Sequence, residues 1–256
     1  MRTVATVNHK GGSCKTTTAV NLGAALVETG RRVLLLDLDP QASASHWLGV
    51  RDGDRVLLDA LVGGGRLETA VRSTAVDGLD VVPSSPWLLG AERALAELHA
   101  GEGRLATLVA QLPPRWDYLL IDCPPGLGVL TANALACVDE LLIPVEAHVM
   151  ALEGMAQILR GLAVVRERLR PTLRVGGIVA CRVDARTRHC PEVVADLRHR
   201  FSGLVHETVI RENVRLAECP SFGQPITRYD PRCSGALDHR ALASEVIAQE
   251  TARDHA

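Results

Sequence analysis

Apolar residues are distributed along this chain in short continuous runs, which alternate with longer segments of helical periodicity. The short runs are rich in Val, Leu and Ile. Because they lack a polar face, they are typical of strands that are covered on both sides of a sheet. The sequence therefore predicts six such strands. They span residues 2–7, 32–36, 79–82, 118–121, 140–145 and 175–181.

The segments between these runs have the spacing of amphipathic helices. In the first segment, Ala19, Leu22, Leu26 and Val27 recur at helical intervals. Strands that alternate with helices form parallel βαβ units, so we expect an α/β fold: a doubly wound, mostly parallel sheet flanked by helices. No linker rich in Gly, Ser or Pro divides the chain, and residues 1–256 are expected to form a single domain. The predicted helices span residues 15–29, 88–100, 131–136, 151–169, 191–201 and 235–249.

A glycine-containing loop separates the first strand from the first helix. Its sequence, KGGSCKT, spans residues 10–16. Glycines allow backbone N–H groups to approach phosphate oxygens closely, and the positive end of the following helix favours an anion at the same place. The standard phosphate-loop pattern GxxxxGK[ST] is not met, because His9 and Cys14 stand at its glycine positions. The residues instead match the deviant pattern KGGxxK[ST], in which an additional lysine, Lys10, comes first.

The composition gives weight to the two lysines of this loop. The chain has 28 basic residues, of which 26 are arginines, and its only lysines are Lys10 and Lys15. A lysine ammonium is a compact point charge, whereas a guanidinium is a bulky planar fork. A tight turn around phosphate groups has room for the ammonium but not for the guanidinium. We therefore expect Lys15 to contact a bound triphosphate and Thr16 to place its hydroxyl on Mg²⁺.

Four sequence blocks resemble, in family order, the ParA/Soj branch of the ParA/MinD family of deviant P-loop ATPases. The first block, at residues 7–26, contains the loop, and the second is VLLLDLDPQASAS at 33–45. The third, at 118–135, resembles the Walker B segment and second switch of that family, and the fourth is a C-terminal block at 212–236. The resemblance covers almost the whole chain. It implies an ATPase of weak intrinsic activity whose cofactors are ATP and Mg²⁺.

The resemblance also implies roles for individual residues. Lys10 is expected to reach across an ATP-bound sandwich dimer to the partner's nucleotide, where a cation reduces the repulsion between facing phosphates. Asp39 is expected to position the attacking water, while Asp37 and Asp122 support Mg²⁺. The expected catalytic residues are Lys10, Lys15 and Asp39. The expected nucleotide-binding residues are Lys10, Gly11, Gly12, Ser13, Cys14, Lys15, Thr16, Thr17 and Asn213, and the expected metal-binding residues are Thr16, Asp37 and Asp122.

The charge distribution favours a nucleic-acid surface in the C-terminal part of the chain. The whole chain has a net charge of −2, but residues 171–240 contain 11 Arg and 8 acidic residues, a balance of +3. Arg186 and Arg215 match positions that the ParA/Soj family uses to bind DNA nonspecifically. Aromatic residues are only 3% of the chain, so backbone contacts to duplex DNA are expected rather than base stacking on single strands. The other candidates are Arg188, Arg198, Arg200, Arg228 and Arg232.

Partners and a cellular location are implied by the same resemblance. We expect a homodimer with ATP, nonspecific binding to double-stranded DNA, and a ParB-like or other cargo-adaptor protein that stimulates hydrolysis. The cargo can be a chromosome, a plasmid or a protein organelle. The first residues lack the zones of a signal peptide, and no run of 18 apolar residues occurs. The expected location is the cytoplasm, at the nucleoid, with no membrane partner.

Two other functions are less favoured by the residues. A MinD-like membrane-cycling regulator needs a basic amphipathic C-terminal helix, but residues 245–256 contain one Arg and four acidic groups, counting the terminal carboxylate. An iron-protein-like reductase needs two cysteines that share a cluster at a dimer interface. Cys123 and Cys137 do not fit that requirement, and the seven cysteines include no CxxC pair.

Three places depart from the family pattern, and at one of them Gly126 stands where the family commonly has Ser. Cys14 replaces a glycine, and a Cβ there costs on the order of 1 kcal/mol if the backbone needs a positive φ. At residues 210–213, Ile-Arg-Glu-Asn stands where the family has Ile-Pro-Arg-Asn, so Glu212 places an acid where the family has a base. Cys14 bears on the hydrolysis rate or the stiffness of the loop, and Glu212 bears on DNA affinity or the contact with adenine.

Overall fold

Each of the six predicted apolar runs corresponds to a β-strand in the computed structural model, which describes residues 1–51, 54–98, 101–148, 151–187 and 189–254. Two further strands, of two residues each, complete the sheet. The strands are β1 (Arg2–Thr6), β2 (Val33–Asp37), β3 (Arg72–Ser73), β4 (Leu79–Val82), β5 (Tyr118–Asp122), β6 (Glu140–Glu146), β7 (Arg174–Val183) and β8 (Ile210–Arg211).

The helices include all six that the sequence predicts, with corrections at their ends: the helix predicted for 235–249 extends to Asp254, and the one predicted for 131–136 spans Val129–Cys137. The helix predicted for residues 88–100 ends at Glu97, because Leu98 has an extended backbone conformation; residues 99 and 100 lie outside the described ranges. The helices are α1 (Lys15–Glu28), α2 (Ser43–Trp47), α3 (Val56–Gly63), α4 (Leu88–Glu97), α5 (Arg104–Ala110), α6 (Val129–Cys137), α7 (Ala151–Arg168), α8 (His189–Arg200), α9 (Val214–Glu218), α10 (Ile226–Tyr229) and α11 (Ser234–Asp254).

The sheet has the order β3-β4-β2-β5-β1-β6-β7-β8. β1 pairs in parallel with β5 on one side and with β6 on the other. Among the strands that the structure describes, only β3 runs antiparallel, at the edge beside β4. The fold is the expected doubly wound α/β sheet. The chain changes direction of winding at β1, and ligands of such sheets bind outside the carboxyl ends of the strands at this point.

Helices cover both faces of the sheet. Alternate residues of β2 lie in two separate apolar clusters: Leu34 and Leu36 pack on one face, and Val33 and Leu35 on the other. All four side chains are fully buried. Burial on two sides explains why these strands appear in the sequence as continuous apolar runs. On the second face, α1 packs against α11.

A buried amide connects the C-terminal part of the chain to α1. Asn21, in α1, accepts a hydrogen bond from the backbone N–H of Ile226 at 2.7 Å, and its side-chain N–H donates to the Thr17 carbonyl at 2.8 Å. Nearby, the indole N–H of Trp47 donates to the Gln224 carbonyl at 2.8 Å. These bonds fix the segment that leads into α10 relative to the phosphate loop.

Candidate functional site

The carboxyl ends of β1, β2 and β5 lie side by side. Asp37 and Asp122 are register partners on neighbouring strands, and so are Thr6 and Asp122. The segment after β1 forms the phosphate loop and continues into α1. The topology therefore brings the loop and the predicted carboxylates to the same end of the sheet.

The loop is held by hydrogen bonds around Lys10. The Lys10 carbonyl accepts from the Ser13 hydroxyl at 2.9 Å and from the Lys15 ammonium at 3.2 Å. The Lys10 N–H donates to the side chain of Asn8 at 3.1 Å, and Asn8 donates to the Pro144 carbonyl of β6 at 2.7 Å. The turn is thereby tied to the sheet before any ligand binds.

The two lysines have different environments. The Lys15 side chain lies beneath the turn and is only 6% exposed. Burial lowers the pKa of Lys15, and the negative charge of Asp122 partly offsets this effect. Lys10 is exposed, and no ion pair or hydrogen bond of its ammonium occurs among the described residues. Lys15 is therefore placed for a ligand of its own chain, and Lys10 faces outward.

Cys14 meets the condition under which its side chain is costly. Its φ is +65° and its ψ is 18°, in the left-handed region, directly before the first residue of α1. A non-glycine residue pays for its Cβ in this region. The thiol of Cys14 contacts the buried thiol of Cys181 in β7, and this hydrogen bond lowers the pKa of Cys14. All seven cysteines are free thiols.

Two buried carboxyl groups lie behind the loop. Asp122 accepts hydrogen bonds from the hydroxyl of Thr16 at 2.7 Å and from that of Thr6 at 3.3 Å. Asp37 accepts from the N–H and the hydroxyl of Ser45, at 2.9 and 2.7 Å. Burial raises the pKa of Asp37, and burial together with the charge of Asp37 raises the pKa of Asp122.

This set of oxygen atoms fits Mg²⁺. Hydroxyl and carboxylate oxygens are its preferred ligands, and it usually keeps several waters. A divalent cation beside Thr16 would favour the ionised forms of Asp37 and Asp122, whose pKa values burial raises. Among the described residues no three His, Cys, Asp or Glu side chains converge as a metal cluster. The residues that could hold the ion are Thr16, through its hydroxyl, and Asp122 and Asp37 behind it.

A cavity of about 900 Å³ opens above the loop, a volume typical of small-molecule sites. Residues 11–17 line it from one side and Asp39 from another. The Asp39 carboxylate accepts a hydrogen bond from the Gln41 N–H at 2.9 Å, which fixes its direction. Lys10 is not part of the wall of this cavity.

A second cavity, of about 840 Å³, adjoins the first. Asn213 lines it, at the N-cap of α9, where its side-chain oxygen accepts from the N–H of Arg215 at 2.8 Å. The amide of Asn213 also donates to the hydroxyl of Ser234 at 2.7 Å. The residue predicted near adenine is thus separate from the loop, on the wall of the neighbouring cavity.

The sequence reasoning missed Arg182, which lines both cavities. It follows the predicted strand 175–181 directly, so its place at the carboxyl end of a parallel strand was a usable signal. The reasoning also missed Ser45, whose hydrogen bonds saturate one oxygen of Asp37. The only sequence signal for Ser45 was that it is a polar residue within the second sequence block.

The two arginines best matched to DNA-binding positions are paired within the chain. Arg186 makes a bidentate contact with Asp184, at 2.9 and 2.8 Å. Arg215 lies 2.8 Å from the carboxylate of Glu218. A DNA phosphate would have to replace these carboxylates.

The remaining arginine candidates differ in their pairing. Arg198 donates to the Glu207 carbonyl at 2.8 Å and faces the carboxylate of Glu207 at 3.3 Å. Arg200, Arg228 and Arg232 are exposed, and within the described ranges no ion pair involves them. Arg188 lies outside the described residues. The unpaired arginines are therefore the more available phosphate contacts.

The structure also bears on the iron-protein-like reductase. Cys123 and Cys137 are buried, and burial raises the pKa of Cys137 to about 12, so neither thiol is presented to a second subunit as a cluster ligand. Within the described ranges, no helix has both the length and the apolar character needed to cross a bilayer.

Comparison with known proteins identifies the family. A family model described as an AAA domain matches residues 1–175. The chain is 42% identical over 247 residues to the sporulation initiation inhibitor protein Soj of Bacillus subtilis, covering 96% of this chain and 98% of that protein. It is 39% identical over 252 residues to the chromosome partitioning protein ParA of Myxococcus xanthus, covering 98% and 89%. This chain belongs to the ParA/Soj family of partition ATPases.

A solved structure supports the α/β fold. Cobyrinic acid a,c-diamide synthase from Mycobacterium smegmatis, with bound ADP and magnesium, matches this chain with a TM-score of 0.85 and 32% sequence identity. The match covers 98% of this chain and 96% of the other. The family predicted from four sequence blocks is confirmed, as is the α/β fold.

Replacing Cys14 by glycine is expected to stabilise this ParA/Soj protein relative to replacement by alanine. Both variants lose the thiol and its contact with Cys181, but only alanine keeps a Cβ in the left-handed region. Chemical denaturation should give Cys14→Gly a free energy of unfolding about 1 kcal/mol above that of Cys14→Ala.

A control at Ala248, on the exposed side of α11, should show the opposite preference. In a helix, glycine is less favourable than alanine by about 1 kcal/mol, so Ala248→Gly should be less stable than the native chain. Equal stability of the two Cys14 variants would show that this position carries no backbone strain.

Proposed function

We propose that this chain binds Mg-ATP on residues 10–17 and uses hydrolysis to control its own dimerisation and its binding to DNA in a partition system. One observation carries the proposal. The preformed phosphate turn, the buried Lys15 and the carboxylate of Asp39 border a single cavity at the carboxyl end of a parallel sheet. The names of the relatives, Soj and chromosome partitioning protein ParA, support the cellular role.

Lys15 and the start of α1 bind the triphosphate in this proposal. The carbonyl of Lys10 already holds the Lys15 ammonium, so little side-chain freedom is lost when phosphate oxygens arrive. Gly12 and Cys14 both have positive φ, a conformation in which successive N–H groups form a concave anion site. The helix N-terminus adds its positive end.

The remaining residues serve hydrolysis. Thr16, supported by Asp122 and Asp37, would hold Mg²⁺, which neutralises charge that develops on the transferred phosphoryl group. Asp39 orients the attacking water from the wall of the cavity. Because the Gln41 N–H anchors one oxygen of Asp39, the carboxylate has a fixed direction for this task.

Lys10 serves a second copy of the chain. Its backbone is fixed by Ser13 and Lys15, its ammonium has no partner among the described residues, and it does not line the cavity of its own chain. A cation in this position can neutralise phosphates that face it from a partner. ATP then becomes part of the dimer interface, and hydrolysis weakens it.

Replacement of Lys10 by alanine is expected to abolish ATP-dependent dimerisation while ATP binding persists. Sedimentation velocity with Mg-ATP can measure this in an Asp39→Ala background, where hydrolysis is expected to be slow. Arg66→Ala is the matched control, since Arg66 is an exposed cation outside the cavity wall. A Lys10→Ala chain that dimerises like the Arg66→Ala chain would contradict the assignment.

Duplex DNA is the proposed second ligand of the ATP-bound dimer. Phosphate contacts from arginine supply nonspecific affinity that falls steeply with salt. Arg228 and Arg232 lie four residues apart in the C-terminal block and are exposed without ion pairs among the described residues. They support the proposal better than Arg186 and Arg215, whose guanidinium groups already contact carboxylates.

DNA retention is expected with ATP, and not with ADP or without nucleotide. The double change Arg228→Ala and Arg232→Ala removes four arginines from the dimer, so it should reduce the steepness of log affinity against log salt by about 4, if each arginine neutralises one phosphate. Arg93→Ala is the control, since Arg93 is exposed on α4 and, in the described part of the chain, pairs with Glu97 alone, at 3.3 Å. Equal retention in the three nucleotide states would disprove ATP-gated DNA binding.

The partner and the location complete the proposal. A ParB-like or other cargo-adaptor protein stimulates hydrolysis, and the protein works in the cytoplasm at the nucleoid. Residues 1–256 act as one domain, because a single sheet contains strands from β1 to β8 and the C-terminal helix α11 packs on α1.

A further inference from the structure

Two cavities meet at one arginine. The cavity above the phosphate loop and the cavity beside Asn213 share three lining residues, Cys14, Thr17 and Arg182. A ligand with its phosphates in the first cavity and its nucleoside in the second must pass this junction. Of the three shared residues, only Arg182 carries a positive charge.

The backbone places Arg182 at the junction in an unusual conformation. The pairing of β7 with β8 shifts its register between Cys181 and Val183, so Arg182 is an extra residue in the strand. Its φ is +53°, in the left-handed region that non-glycine residues rarely occupy. Bulges redirect side chains and are frequent next to active sites. Cys181 and Val183 are buried, while Arg182 is exposed to the junction.

Two carboxylates hold the guanidinium unequally. One terminal nitrogen donates to Glu146 at 3.0 Å and the other to Glu212 at 3.5 Å. The Glu146 side chain, at the end of β6, is 27% exposed, whereas that of Glu212 is 49% exposed. Glu146 is therefore the firmer anchor, and Glu212 is the partner that an incoming anion can replace.

The other arginines of the second cavity are already committed to single carboxylates. Arg186 makes two contacts with Asp184, and Arg211 makes contacts of 3.0 and 2.6 Å with Asp238. Neither of them lines the cavity above the loop. Arg182 is the arginine whose position and pairing both suit a phosphate at the junction.

We propose that Arg182 is a nucleotide-binding residue whose guanidinium contacts the phosphate nearest the nucleoside. Glu146 fixes the side chain, and Glu212 is the counter-ion that this phosphate replaces. The inference rests on the proposed function, because it takes ATP as the ligand. It also gives a role to the acid at position 212, which departs from the family pattern: the acid pairs with a base that β7 supplies.

Isothermal titration with Mg-ATP and with Mg-ADP tests the contact. Arg182→Gln should weaken the binding of both nucleotides by the same factor, about tenfold, because the phosphate nearest the nucleoside is common to both. Arg66→Gln is the control, since Arg66 is exposed and lines neither cavity, and this variant should bind both nucleotides like the native chain. Native affinity in Arg182→Gln would overturn the inference.

The variant Glu212→Gln tests whether Arg182 contacts the nucleotide or only connects neighbouring strands. If Glu212 competes with a phosphate for Arg182, its neutralisation should tighten nucleotide binding by about threefold, a modest factor because the pair is exposed. If Arg182 only joins β6, β7 and β8, the same change should weaken binding, and the inference fails.

The variant Arg182→Gly tests whether a loss of nucleotide affinity comes from the missing guanidinium or from a less stable fold. Glycine accepts the left-handed backbone, so this variant should melt no lower than Arg182→Gln and should still lose about tenfold in nucleotide affinity. Native affinity in Arg182→Gly would also overturn the inference. A native chain that binds no ATP would instead contradict the proposed function itself, so the two failures are distinguishable.

Discussion

The hydrogen bond from the Thr16 hydroxyl to the Asp122 carboxylate, 2.7 Å long, is the interaction on which the rest of the site depends. It joins the first turn of α1 to the carboxyl end of β5. Asp122 is fully buried, so loss of this partner would leave a buried carboxyl group less satisfied, at a cost of about 1–3 kcal/mol. Since α1 also anchors the C-terminal segment through Asn21, these two bonds tie the sheet and that segment to the helix that follows the loop.

The sequence was sufficient where a local pattern has one structural solution. Strands such as β2 are buried on both faces, so their continuous apolar runs could be predicted from the sequence. The glycine turn with two lysines identified the phosphate loop. The shortest strands could not be predicted from the sequence, because β3 and β8 have two residues each and are defined by their pairing with a neighbouring strand. Arg182 was missed because a bulge between β7 and β8 depends on tertiary pairing, not on local sequence.

Charge pairing was the least predictable feature of the candidate site. The sequence ranked Arg186 and Arg215 first as DNA contacts, yet the fold places each beside a carboxylate of the same chain. In Arg186 that carboxylate, Asp184, is two residues away, and the turn after β7 brings the groups together. An arginine-rich surface thus contains both internally compensated cations and available ones, and only the second kind contributes fully to binding of a polyanion.

The buried Lys15 gives the most direct test of the account. Release of phosphate from Mg-ATP should be measured for the native chain and for Lys15→Arg, after thermal unfolding has shown that both are folded. Arginine keeps the charge, but its planar fork does not fit beneath a turn where the lysine is 6% exposed. We expect slow Mg-dependent hydrolysis by the native chain and a loss of about a hundredfold or more in the variant. Equal rates for the two chains would contradict the account.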